Sequence, residues 1–233
     1  NASLKNLGKD HLVLSRNNSY VGVMIDDLVT KDTKEPYRMF TSRAEHRLLL
    51  RFSNTCDRLF GEAKRLKLIN KEEEVLYDII LDTKESIREN LKKSVKPEEM
   101  KKHTALKQPA PAKTILKRNE VAIFSLPSRF WEIKKPLPLW MLNDILFDVE
   151  SEIKYDGYIQ RNLKDLAQIE KSEKLSLPKD FNYNQVKGLS SEAIEKLSLV
   201  RPENLGQATR VSGITPSDIT VLNINLSRPK GST

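Results

Sequence analysis

Apolar and polar positions follow the period of an α-helix over much of this chain. Three consecutive glutamates after Lys71 precede apolar residues at helical spacing, which predicts a helix from near Lys71 to about Leu91. A shorter helix is predicted over residues 57–68. From about Leu139 the pattern predicts a helix, or a helix pair with a weak point at Gly157. Its apolar stripe predicts core positions at Trp140, Met141, Ile145, Leu146 and Val149.

The first 34 residues are patterned differently. The runs HLVLSR and YVGVMI favour short β-type segments among glycine, Asn and Asp residues. The predicted fold class is therefore mainly α, a multi-helix domain with a short extended/β N-terminal segment. The expected division is an extended segment over 1–40, a helical domain over 41–153 and a C-terminal helical subdomain over 154–233.

The segment EPYRMFTSRAEHRLLLR, residues 35–51, combines a turn with a helix signal. Ser42 and Glu45 have capping-box spacing, so a helix is predicted to follow Ser42. Residues four apart on a helix share one face, which would align Arg43, Arg47 and Arg51.

The end of the chain predicts three short helices. They correspond to GLSSEAIEKLSLV, to RPENLGQATRV and to a helix that starts at Thr215-Pro216, where Thr215 suits the cap and Pro216 the first turn. The last two, joined by a tight SGIT turn, resemble a helix-turn-helix. A small helical packing unit explains them better than DNA readout, because the last helix is largely apolar.

Composition narrows the function classes. The 233 residues have 31% charged side chains and a net charge of +8, which favours polyanionic partners such as nucleic acids. The absence of a long apolar run and of a signal-peptide pattern predicts a cytoplasmic location without membrane insertion. A first residue other than Met suggests that the chain was cut from a longer one.

Motifs for catalysis or cofactor binding are not found in the sequence. It has no Gly-rich phosphate loop, and its three histidines lack metal-site spacing, so we predict no catalytic, cofactor-binding or metal-binding residue. Asp26 and Asp27 are expected to serve a turn or cap rather than a ligand site. Cys56, the single cysteine, is expected to be a small semi-buried residue.

Cations interleaved with aromatic residues suit phosphate contact and base stacking on RNA. This pattern makes Lys31, Lys34, Tyr37, Arg38, Arg43, Arg47 and Arg51 candidates for tRNA contact, with Phe40 among them. The alternative is that Arg43, Arg47 and Arg51 pair with acids such as Glu45 or Asp57, and the pattern does not decide between the two.

The same segment closely resembles the GidA/MnmG family motif. The start NASLKNLG, the lead-in SYVGVMIDDLVTKDTK and the later EIKYDGYIQRN, LPKDFNY, GLSSEAIEKL and RPENLGQATRVSGITPSDITVL follow in the family's order. The resemblance covers nearly the whole chain and is weakest over residues 92–135. The chain is identified as a C-terminal part of such a protein that lacks the FAD domain.

The resemblance implies an enzyme that modifies carbon 5 of the wobble uridine of tRNA. It implies FAD in the absent domain, NADH as reductant, methylenetetrahydrofolate as one-carbon donor, the MnmE GTPase as partner and a homodimeric parent. Catalytic residues would lie in the absent domain, so this part would be inactive alone. The family's C-terminal domain contacts MnmE and tRNA, which makes Arg201, Gln207, Arg210 and Thr215 candidates for partner binding.

The chain departs from the family pattern at a few places. His46 stands where the family usually has Tyr, and Asp32 where it usually has Gly. After Arg51 the chain has SNTCDRLF instead of the family's DNADxRLT. A different class of function, a DNA-binding regulator using the helix-turn-helix-like unit, is the alternative hypothesis; the Arg-rich segment and the apolar last helix favour the first.

Overall fold

The structure, a computed structural model, describes residues 1–31, 35–133 and 137–227. Within these ranges it is mainly helical, which confirms the predicted class. The helices are α1 (Ala2–Asn6), α2 (Tyr20–Thr30), α3 (Thr55–Arg65), α4 (Lys71–Leu91), α5 (Pro97–Met100), α6 (Ala112–Leu116), α7 (Leu139–Lys154), α8 (Asp156–Glu173), α9 (Ser191–Val200), α10 (Leu205–Arg210) and α11 (Pro216–Ser227).

Two short strands, β1 (Ser94–Val95) and β2 (Ala110–Pro111), form an antiparallel pair in which Ser94 lies opposite Pro111 and Val95 opposite Ala110. They fall in the region where prolines and lysines predict short pieces joined by loops. None of the helices in the described ranges has the length and apolar character needed to cross a bilayer.

The chain forms two compact units, Leu48–Arg161 and the combination of Asn1–Arg47 with Asn162–Thr233. The first unit is built on α4 and α7, whose buried faces meet through Ile87, Leu146 and Val149. The second has its own core at its C-terminal helices, where Leu197, Ala208 and Leu222 are fully buried. The predicted boundaries at residues 40 and 153 stay predictions.

Helix α4 begins where its sequence predicts. The Asn70 side chain accepts a hydrogen bond from the Glu73 amide at 2.9 Å, and the Glu73 carboxylate accepts one from the Asn70 amide at 2.8 Å. This reciprocal cap satisfies two amides that the first turn leaves free. The end of α4 at Leu91 is also as predicted.

The region after Leu139 is a helix pair, as expected. Helix α7 ends at Lys154 and α8 begins at Asp156, so the break falls two positions before Gly157. Ile145, Leu146 and Val149 are buried, as the stripe predicts, but Trp140 is 64% exposed. The core prediction is therefore wrong at Trp140, which lies in the first turn of α7 with most of its side chain in solvent.

The β prediction for the run YVGVMI is wrong, because these residues lie in helix α2. Ser19 caps the helix by accepting a hydrogen bond from the Gly22 amide at 2.9 Å. The carbonyl of Ser15 lies so close to Gly22 that a Cβ atom there would approach its oxygen to 2.1 Å. Glycine thus allows the preceding segment to cross the helix at close range.

The three C-terminal helices are at the predicted places. Thr215 precedes α11, and its hydroxyl accepts a hydrogen bond from the Asp218 amide at 3.3 Å, while the Asp218 carboxylate accepts from the Thr215 amide at 3.1 Å. Pro216 is the first residue of α11. Asp218 is buried, so the acid in the first turn serves the helix start and not a nucleic-acid surface.

Candidate nucleic-acid interface

The segment predicted to become a helix after Ser42 does not form one. Thr41–Arg43 is a single 3-10 turn, Ala44 has extended dihedral angles and the chain continues through turns to Arg51. Arg43, Arg47 and Arg51 therefore share no helical face, and that prediction is wrong. Its physical cause is Glu45, whose carboxylate was expected to cap the helix and instead binds Arg16.

Arg16 connects the segments of this region through its guanidinium, and the sequence pattern did not indicate it as a site residue. Its guanidinium donates from Nη2 to both Glu45 oxygens, at 2.7 and 2.9 Å, and to the Arg43 carbonyl at 3.3 Å. From Nη1 it donates to Asp26 and Asp27 at 2.5 and 3.2 Å. Burial opposes the charge of Arg16, but these partners more than offset it and raise its pKa.

Asp27 is a second centre of the same network. Its side chain is fully buried and pairs with Lys31 at 2.8 Å and with Arg43 at 3.3 Å, while the Tyr37 hydroxyl donates to it at 3.0 Å. Burial would raise the pKa of Asp27, but the hydrogen bonds from Lys31 and Arg16 hold it below its usual value. The expected turn or cap role for Asp26 and Asp27 is wrong, because both lie on α2 and their carboxylates form ion pairs with arginine side chains from outside that helix.

Arg210 on α10 extends the network to the C-terminal helices. Its guanidinium donates to the two Asp26 oxygens at 2.7 and 3.0 Å, and to Glu173 at 3.2 Å. We call the whole set the ion-pair network. Among the described residues it has four cations and four carboxylates and is balanced in charge: Arg16, Lys31, Arg43, Arg210, Asp26, Asp27, Glu45 and Glu173.

The residues predicted to contact tRNA lie in three different environments. Lys31, Tyr37 and Arg43 belong to the ion-pair network or donate into it, and the Arg43 guanidinium also lies 4.6 Å from the centre of the Tyr37 ring. Arg51 lies in the Leu48–Arg161 unit, where it pairs with the buried Asp148 at 2.9 Å. Lys34, like Asp32, lies outside the described residues.

Two of the candidate arginines remain open to solvent. The Arg38 side chain is 70% exposed, and its ion pair with Glu35 is long, at 3.9 Å. Arg47 is exposed and has no ion-pair partner among the residues that the structure describes. Phe40 is half exposed beneath the Arg38 guanidinium, 5.3 Å from ring centre to cation. An exposed cation and an exposed ring together can contact a phosphate and stack a base.

The four candidates for partner binding all make hydrogen bonds within the chain. Arg201 has left-handed dihedral angles, with φ of 52°, and donates to the carbonyls of Ser198 and Lys179 at 3.1 Å each. The Gln207 side chain accepts from the Glu203 amide at 2.8 Å. Arg210 is in the ion-pair network, and Thr215 caps α11.

His46 and Cys56 differ in how far they are exposed to solvent. His46 is buried, and neither ring nitrogen has a hydrogen-bond partner in the described ranges. Cys56 is exposed, so the semi-buried prediction for it is wrong. The next residue, Asp57, does not pair with an arginine in this structure as described; its carboxylate lies 2.7 Å from the Lys84 ammonium.

A mainly helical protein with an arginine-carboxylate network is the class that the fold and contacts define, and comparisons with known proteins give the family. Residues 62–163 match the tRNA modifying enzyme MnmG/GidA C-terminal helical domain, and residues 165–232 match the MnmG/GidA C-terminal helical bundle. The chain belongs to the MnmG/GidA family, in its C-terminal helical region.

Individual relatives agree with this assignment. The chain is 39% identical to the tRNA uridine 5-carboxymethylaminomethyl modification enzyme MnmG of Clostridium botulinum over 98% of its length, and 43% identical to that of Borrelia garinii over 99%. It spans 37% and 36% of these proteins. The crystal form II structure of Aquifex aeolicus GidA matches 98% of the chain and 36% of its own, with a TM-score of 0.78 and 34% identity.

Proposed function

We propose that this chain is the helical region through which a tRNA-modifying enzyme holds its substrate tRNA. The relatives are named for installing a 5-carboxymethylaminomethyl group on tRNA uridine, and we propose the same modification of the wobble uridine for the protein to which this region belongs. The chain spans little more than a third of those relatives. Catalysis is accordingly proposed for the remaining part, with this region inactive alone.

The exposed pair Arg38 and Arg47 is the observation that carries the tRNA-binding proposal. Both arginines belong to the segment that Arg16 holds through the Arg43 carbonyl and Glu45. Because this segment is held by the buried Arg16 side chain, its exposed cations need little ordering when a phosphate binds. Phe40 adds a ring for base stacking at the same place.

The arginines that already pair with buried carboxylates are not part of the proposed RNA contact. Arg43 and Arg51 would have to leave buried carboxylates before they could reach a phosphate, and breaking such pairs is costly. We therefore narrow the proposed contact from seven residues to Arg38 and Arg47, with Lys31 and Tyr37 at its edge. Lys31 has 34% of its side chain exposed beside Asp27.

FAD and NADH are proposed for the part of the parent protein beyond this chain. The flavin would supply the redox chemistry when bound. The residues present here do not fit a dinucleotide: the sequence has no Gly-x-Gly-x-x-Gly turn. Gly22 is an isolated glycine, and the Ser15 carbonyl occupies the space beside its Cα.

The MnmE GTPase and a second copy of the parent are the proposed protein partners, and the cytoplasm is the proposed location. The C-terminal helices α9 to α11 are proposed for MnmE, with Arg201, Gln207, Arg210 and Thr215 as candidates. Removal of residues 201–233 should abolish MnmE capture by the parent protein in a pull-down. Retained capture would contradict this assignment.

Binding of the chain to tRNA at two salt concentrations tests the main proposal. Arg38→Ala and Arg47→Ala should each weaken tRNA binding and reduce the slope of log K against log salt by about one unit, as loss of a phosphate contact does. Arg65→Ala is the matched control, because Arg65 is an exposed arginine on α3 that pairs with Glu62. Unchanged affinity in both variants, or tighter binding to duplex DNA than to tRNA, would contradict the proposal.

A further inference from the structure

An open apolar groove crosses the Leu48–Arg161 unit between α3, α4 and α7. Its volume is about 490 Å³. Phe60 and Tyr77 stack along one side, with ring centres 3.8 Å apart, and Ile80 and Ile145 lie at the base. The tRNA-binding proposal does not involve this groove.

Two aromatic side chains at the groove are left largely in water. Phe52 is 91% exposed and Trp140 is 64% exposed, and Leu139 next to Trp140 is 73% exposed. Contiguous exposed apolar surface of this kind marks interaction sites in monomeric proteins. Trp and Phe are also the side chains that interfaces favour as anchors.

The charges around the groove are acidic. Asp57, Glu73 and Asp144 line it, and Lys84 is the one cation among the described residues that line it. The Lys84 side chain is only 4% exposed, and its ammonium lies 2.7 Å from Asp57 and 2.8 Å from Asp148. Lys84 therefore offers no free charge to a ligand, whereas Glu73 and Asp144 are exposed.

A phosphate backbone would be repelled by this groove, although the chain as a whole has a charge of +8. Stacking of nucleobases on Phe52 and Trp140 would bring phosphates next to Glu73 and Asp144, which have no ion-pair partner among the described residues. A protein segment with apolar anchors and basic flanks meets both requirements of the site, the apolar base and the carboxylate rim.

We propose that the groove between α3, α4 and α7 docks a cationic amphipathic helix of a partner protein. Apolar side chains at helical spacing insert between the Phe60–Tyr77 stack and Trp140, as in other helix-in-groove complexes. Lysine or arginine side chains on the flanks of that helix face Asp144 and Glu73. Charge complementarity selects the partner, and the apolar contacts supply the affinity.

Titration of the ¹⁵N-labelled chain with two synthetic helical peptides tests the proposal. One peptide carries leucine at helical spacing with lysine elsewhere, and its twin carries glutamate in place of lysine. The lysine peptide should shift amide signals of residues around Phe52, Tyr77 and Trp140. The glutamate peptide should bind about tenfold more weakly or not at all, because like charges oppose association.

Substitutions at the groove distinguish peptide binding there from non-specific association of the peptide with the chain. Phe52→Ser and Trp140→Ser should each weaken binding of the lysine peptide several-fold while the fold is kept, since both side chains are exposed. Val75→Ser is the matched control, because Val75 is a 58% exposed residue of α4 that does not line the groove. Asp144→Lys should reduce binding of the lysine peptide and improve binding of the glutamate peptide.

Three outcomes would overturn the proposal. Equal binding of both peptides would remove the role of charge. Signal shifts at the same amides with oligouridylate would assign the groove to RNA bases. Self-association in sedimentation that Trp140→Ser abolishes would assign it to a second copy of the chain.

Discussion

Arg210 and Asp26 form a two-pronged ion pair although they lie 184 positions apart in the sequence. Nε and Nη2 of Arg210 donate to the two carboxylate oxygens at 2.7 and 3.0 Å. The pair joins α10 to α2 within the Asn1–Arg47 and Asn162–Thr233 unit, and both side chains are mostly buried, at 15% and 11% exposure. Such a pair fixes geometry more than it adds stability, because desolvation offsets much of the attraction.

Arg210→Ala should nevertheless destabilise this unit. Asp26 would keep Arg16 but lose its bidentate partner, and Glu173 would lose a partner as well. We expect a loss of about 2–4 kcal/mol in the free energy of unfolding, by the cost of breaking a buried pair from one side. Urea denaturation monitored by circular dichroism measures it. An unchanged midpoint would contradict the structural role given to the ion-pair network.

Gly22→Ala should be among the most damaging small substitutions in the chain. The added Cβ would lie 2.1 Å from the Ser15 carbonyl oxygen, so the backbone must move, at a cost of about 3 kcal/mol or more. Gly61→Ala is the control: Gly61 is also inside a helix but meets nothing within 4 Å, so alanine should stabilise by up to about 1 kcal/mol. Thermal unfolding of both variants checks the predicted opposite signs.

Lys84→Met should destabilise the Leu48–Arg161 unit. The ammonium that lies between Asp57 and Asp148 would be lost, which leaves the fully buried Asp148 with fewer hydrogen bonds. We expect a loss of about 3–5 kcal/mol. Lys92→Met, which removes an exposed pair with Glu89, should leave stability nearly unchanged, because surface ion pairs contribute little. Similar effects for both lysines in denaturant titrations would contradict the assignment.

Acid should weaken the fold through Asp148 and Asp27. Burial alone would raise the pKa of Asp148, but hydrogen bonds from Lys84, Arg51 and Ser53 lower it; the pKa of Asp27 is lowered in the same way by Lys31 and Arg16. A lowered folded-state pKa contributes stability above the unfolded value of about 3.9, and this contribution is lost as pH falls through the folded value. Unfolding free energy should therefore drop below about pH 4.

Asp148→Asn is the control for that pH dependence. The variant should be less stable at neutral pH, and its stability should fall less steeply on acidification, because one carboxylate no longer takes up a proton on unfolding. Parallel curves for the variant and the unmodified chain between neutral and acid pH would rule out the role of Asp148.

Thr215→Ala should destabilise the start of α11 by about 1 kcal/mol, the usual cost of losing an N-cap. The Thr215 hydroxyl also donates to Asp218 at 2.6 Å, so the variant loosens a buried carboxylate. Thr220→Ala on the same helix is the control and should be within about 0.5 kcal/mol of the unmodified chain. Hydrogen exchange of the first α11 amides would locate the effect.

The sequence by itself determined the mainly helical class, the bounds of α4, the α7–α8 pair and the three C-terminal helices. These features depend on periodicity and caps between residues at most a few positions apart, as at Asn70 and Glu73 or Thr215 and Asp218. The long motifs over residues 35–51 and 201–222 also indicated the family, because a family resemblance depends only on the order of residues in the sequence.

Only the tertiary structure decided what the arginines do. Glu45 has capping-box spacing from Ser42, but its carboxylate binds the distant Arg16 instead of a helix amide, and no helix follows Ser42. Arg43 is drawn to Asp27 and Arg51 to Asp148, partners that are 16 and 97 positions away. A local pattern cannot encode such distant partners, because they meet only when the chain is folded.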